Sequence, residues 1–143
     1  METCVVAAVA AIGGIAICLQ SLFSGMIAGH VGVLGGVFIV HLGGLILAGV
    51  LLALRGWDLS GWQGIPWYAL SAGFLGVVIV AAVSYAVPRL GLGTTLTMTI
   101  TAQLLLAAIL DHFGLLGAGL RPVDPSRVLG MAALVVGTWL MVR

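Results

Sequence analysis

The sequence predicts an all-α, polytopic membrane protein of five transmembrane helices. Three observations lead there. Of the 143 residues, 62% are hydrophobic and only 6% charged, and the mean hydropathy is +1.31, well beyond a soluble globular domain. A chain of this composition cannot cover itself with a polar surface, so its outer solvent is lipid. Apolar runs of about 20 residues, the length needed to cross a bilayer core, recur between prolines, charges and tryptophans. They fall at roughly 5–28, 31–54, 67–87, 92–113 and 125–142, and the whole of 1–143 reads as one membrane domain.

The first run carries Glu2 where a secretory signal would have a basic start, and reads as a retained helix. It turns polar at Gln20, Ser21 and Ser24, with Gln20 and Ser24 four apart on one face. Gly29 and His30 leave room only for a tight reversal, so the first two helices should be antiparallel neighbours. The second helix has small residues at helix-packing spacing, Gly32 with Gly36 and Gly44 with Ala48. His41 lies near its middle. An ionisable group at that depth is costly and is a functional candidate, although one hydrogen bond to a nearby carbonyl would also account for it.

The 55–66 connection is bracketed by Trp57, Trp62 and Trp67, which mark a headgroup interface. The third helix should stop at Val87, before Pro88, with Ser84 and Tyr85 in its last turns. On the fourth helix Thr95, Thr99 and Gln103 recur every four residues, and the stripe runs on through Ala107 to Asp111. Threonine hydroxyls can bond back to their own helix. The Gln103 amide cannot be satisfied that way and should face protein or water. Asp124 followed by Pro125 is a helix-start signal for the fifth run.

A net charge of +1 with scattered arginines excludes a nucleic-acid partner. Cys4 and Cys18 read as small wall residues, and no metal-ligand or cofactor motif occurs. An enzyme is disfavoured because no nucleophile, base and orienting group lie at usable spacing. Five spans place Arg55, Arg121 and Arg127 on one face, Arg89 and Arg143 on the other. So small an excess hardly sets orientation. The expected partner is therefore a second copy or a paralogue, inserted antiparallel.

The pieces LQSL (19–22), GIPWYALSAGFLG (64–76), AVPRLG (86–91), DHFGLLG (111–117) and GMAALVVGTWL (130–140), with Gln103 in the fourth helix, resemble the short YdcZ-like family of the drug/metabolite transporter superfamily. The resemblance implies a five-helix half-unit of a ten-helix transporter, in the cytoplasmic membrane of a prokaryote. The chain is also similar in size to small multidrug resistance exporters, but it has neutral Gln20 in the first helix where they carry a glutamate.

The leading expectation is a secondary transporter, exporter or exchanger, of a small solute. Gln20, Ser24, His41, Tyr85, Thr95, Thr99 and Gln103 would line the path, with His41 and Asp111 the candidates for proton coupling or gating. A small dimeric channel, or a structural subunit binding a partner helix through the polar stripe, are the alternatives.

Overall fold

Lipid offers a backbone no alternative hydrogen-bond partner, so the chain is expected to keep its amides inside helices. The computed structural model, which describes residues 2–143, is helical accordingly: α1 (Glu2–Leu54), α2 (Ala72–Leu90), α3 (Leu92–Phe113) and α4 (Pro125–Val142), with single 3₁₀ turns in the connections. Among the described residues there is no strand. Four helices are long and apolar enough to cross a membrane. The chain divides into two compact units, Met1–Arg89 and Leu90–Arg143.

In the first unit, α1 has 53 residues, about 80 Å if straight, far more than a bilayer core of about 30 Å. It is not straight. Gly32 breaks it with φ 79° and ψ 165°, a conformation essentially closed to other residues. The two arms then meet. A Cβ on Gly36 would lie 3.4 Å from the Ala28 Cα, whereas eight residues of continuous helix would separate them by about 12 Å along the axis.

The reversal thus sits at Gly32 instead of Gly29–His30. His30 remains helical and its Nδ1 bonds the Met26 carbonyl at 2.9 Å, so the turn waits for the next glycine. The first arm touches α2 at Gly25, where a Cβ would come within 2.9 Å of Val87 Cγ1.

Pro88 does not end its helix, contrary to expectation, because α2 runs on to Leu90. Proline removes one donor and leaves the remaining ladder available. Arg89 Nη1 donates to the Tyr85 carbonyl at 2.6 Å, securing the last turn. The start of α2 also falls later than expected. Residues 67–71 are turn and 3₁₀ helix, tied by the Ser71 Oγ–H to the Tyr68 carbonyl.

In the second unit, α3 and α4 are antiparallel. Thr94 Oγ1 donates to the Met141 carbonyl (3.3 Å), Thr101 and Thr138 hydroxyls meet at 2.6 Å, and Asp111 pairs with Arg127 at 3.0 Å. Position falls on one helix as it rises on the other. Since Thr138 donates its hydrogen to the Leu134 carbonyl, Thr101 is the donor of the threonine pair. Gly114, with φ 60°, caps α3. The following loop folds back on the helix end, with Arg121 N–H donating to the Asp111 carbonyl (2.8 Å) and Val123 N–H to His112 Nδ1 (3.1 Å). Asp124 caps α4 as expected, accepting from Arg127 N–H and Ser126 Oγ–H, each at 2.7 Å.

These features predict measurable effects on stability. Gly32→Ala should cost about 1–3 kcal/mol by forcing a Cβ into a glycine-only conformation, read as a lower thermal midpoint in detergent. A Thr101→Val/Thr138→Val double-mutant cycle should give a coupling near 0.6 kcal/mol, with about 1.7 as the upper bound seen for such bonds in membranes. The Arg127 amide and Ser126 hydroxyl hold the Asp124 carboxyl below the usual carboxylate range. A depressed carboxylate stabilises the fold above its unfolded pKa and ceases to do so as pH falls through the folded value. Acid should therefore narrow the difference in thermal midpoint between the natural chain and Asp124→Ala, and a gap independent of pH would contradict the cap.

Candidate functional site

Apolar side chains look outward and hydroxyls look inward. Among the described residues Val37, Val80, Val83 and Val87 are the buried hydrophobic ones, and Ser21, Ser24, Ser84, Thr95 and Thr101 are buried as well. This inversion follows from the solvent: lipid does not drive apolar groups together, so packing falls to small residues and hydrogen bonds.

An open cleft of about 540 Å³ lies between the two arms of α1, within the usual size range of ligand sites. Ala16, Leu19, Gln20, Phe23, Ser24 and Ile27 line it from the first arm, Ile39, Val40, Gly43 and Gly44 from the second. Gly43 and Gly44 leave part of the second wall bare, Gln20 supplies the exposed polar group, and Ser24, almost fully buried, lies at its base. The i,i+4 pair singled out in the sequence therefore shares one concave surface.

His41 lies on the second arm. Its Nδ1 donates to the Val37 carbonyl at 2.8 Å, which leaves Nε2 as the ring nitrogen outside that bond. That nitrogen faces α2 where a Cβ on Gly76 would stand 3.3 Å away. Gly76 is thus the notch that admits the imidazole, a role its sequence context did not reveal. The backbone bond that would account for His41 structurally is present.

The threonine stripe is bonded to its own helix. Thr95 Oγ1 donates to Gly91 O (2.8 Å), Thr97 to Gly93 O (2.8 Å) and Thr99 to Thr95 O (2.7 Å). Thr95 is buried, Thr99 half-buried, and Gln103, near the middle of α3, is exposed on the chain's surface. Thr97 also contacts the Met141 sulfur at 3.0 Å.

Tyr85 is 55% exposed. The Arg89 guanidinium lies 3.7 Å above its ring centre, the arrangement of an interfacial anchor. Arg143 covers Trp139 in the same way at 3.8 Å.

Asp111 is engaged. Its carboxylate accepts from Arg127 Nη2 while its carbonyl takes the Arg121 amide, so it ties the end of α3 to the start of α4. Two smaller hollows flank this corner. One of about 460 Å³ is lined by Leu105, Ile109, His112 and Met131, and one of about 320 Å³ by Leu104, Asp111, Arg127 and Leu134. In the second of these the charged groups answer each other, and the first is nearly all apolar.

Among the described residues no three His, Cys, Asp or Glu side chains gather into a metal site. Ser84, which the sequence places in the last turns of its helix without a role, is 1% exposed, and its Oγ is buried with no hydrogen-bond partner among the described residues.

Comparison with curated proteins and with solved structures gave no match. A family model described as "Putative inner membrane exporter, YdcZ" matches residues 5–140, which include both arms of α1, the cleft and the α3–α4 pair, and with its long apolar helices this chain belongs to that DMT_YdcZ family as an integral protein of the inner membrane.

Proposed function

We propose that the chain is a secondary transporter that exports a small, hydrogen-bonding solute, with the two arms of α1 as separate spans and five spans in all. The observation that carries this reading is the placement of Gln20 and Ser24 together in an otherwise apolar cleft between helix arms of spanning length. Such a surface orients a ligand through a few convergent polar groups.

The working unit is a dimer of antiparallel copies. Gln103 supports it: an exposed amide at mid-span has two donors and an acceptor that lipid cannot satisfy, and a second copy or the water of a shared path would. The near-even division of arginines between the two faces leaves room for both orientations. Two five-span copies in opposite orientation reproduce the inverted repeat common among secondary transporters.

Of the two candidates for proton coupling, His41 is the one on a spanning arm with a ring nitrogen still open. Asp111 serves the α3–α4 corner through Arg127.

The test is export from proteoliposomes, after a thermal-shift screen of small metabolites and cationic drugs has found a stabilising solute. Gln20→Ala and Gln103→Ala should each lower transport about two- to ten-fold, the loss expected for one hydrogen bond, while Trp57→Phe in the interfacial loop leaves it unchanged. Full transport in both glutamine variants would remove the hydrogen-bonded path. Conductance without saturation or exchange would turn the reading towards a channel.

A further inference from the structure

Most hydroxyls inside this protein bond a carbonyl or another hydroxyl, and the fully buried Ser84 hydroxyl does not. Ser21, Thr95, Thr97, Thr99 and Thr138 each donate to the carbonyl four residues earlier in their own helix, which makes them inexpensive to bury. Ser84 sits in the same helical context on α2, yet its Oγ is buried and has no partner among the described residues. A buried hydroxyl without a partner is unfavourable, and in such a small core it stands out.

Its backbone is unusual too. The residue four positions on is Pro88, which has no N–H to give the Ser84 carbonyl. One residue therefore presents a hydroxyl that can donate and a carbonyl freed of its regular helix donor.

Its surroundings lead to the cleft. Ser84 and Val87 are one turn apart on the buried face of α2, and Val87 meets the first arm of α1 at Gly25. Gly25 follows Ser24, which is itself 1% exposed and lines the cleft. The spans of this unit, α1 and α2, offer the Gln20 amide, hydroxyls and the His41 imidazole, whereas its Asp, Glu and Arg residues stand at helix ends and in connections. The nearest charge, Arg89, is folded over the exposed Tyr85 ring, so a net charge carried past Ser84 would find no counter-charge on the buried face.

We infer that Ser84 is a recognition residue of the transport path, closed against the first arm of α1 in this conformation, and that it takes a hydroxyl or carboxamide group of an uncharged polar solute when the arm moves off α2. Such a group both donates and accepts, matching the Ser84 carbonyl and hydroxyl together. This rests on the cleft of Gln20 and Ser24 being the solute site.

The experiment uses full-length protein in sealed vesicles, with Cys4 and Cys18 replaced by alanine, and N-ethylmaleimide as the probe. Gln20→Cys should be modified rapidly. Ser84→Cys should be modified to completion at least ten-fold more slowly, paced by opening. Absence of modification at Ser84→Cys while Gln20→Cys reacts overturns this inference and leaves the cleft intact, as does a rate equal to that of Gln20→Cys. No modification of either overturns the cleft reading with it.

Ser84→Ala separates recognition from packing. The variant should have a thermal midpoint equal to or above that of the natural chain, since an unpaired hydroxyl is removed, and transport of an uncharged polar solute reduced at least five-fold. A lowered midpoint or undiminished transport overturns the proposal.

Discussion

A hydrogen-bonding group inside lipid has no water to return to, and the rest of this structure depends on how that demand is met. The backbone meets it by staying helical and by turning where a single residue can make the turn. Gly32 (φ 79°, ψ 165°) and Gly91 (φ 82°, ψ 160°) adopt nearly the same conformation. Each is preceded two residues earlier by a basic side chain, His30 or Arg89, that bonds the carbonyl four residues before itself. Helix thus passes into helix at Gly32 and at Gly91 with almost no irregular chain between.

The side chains meet the same demand with short hydroxyls. Back-bonded threonines let α3 be polar in composition while exposing little unsatisfied polarity, and the Thr101–Thr138 pair uses the remaining capacity to join α3 to α4. Valine and glycine fill what is left. The groups outside this pattern are few, and they are where chemistry can be sought: Gln20 in its cleft, Gln103 on the surface of α3, and Ser84 sealed on α2.

Much of this was legible in sequence because hydropathy and caps are local. The α3 and α4 boundaries and the Asp124 cap follow from composition and from Pro125. The shared face of Gln20 and Ser24 follows from helical spacing. The sequence points to Gly29–His30 for the corner because Gly29, His30 and Gly32 all permit a turn, and only the meeting of the two arms selects Gly32. Pro88 misled for a related reason: one missing donor is tolerated where Arg89 secures the turn. The Gly76 notch for His41 and the isolation of Ser84 depend on contacts between elements distant in sequence, which periodicity does not encode.

A corner made from one residue also has mechanical consequences. The second arm of α1 extends about 33 Å beyond Gly32, so a rotation of about 10° at that residue displaces its far end by roughly 6 Å. The glycine is a pivot at the apex of the cleft and the arms are its levers. Small torsional changes there are geared into large changes at the mouth, while the contact of Gly36 with Ala28 beside the pivot barely shifts.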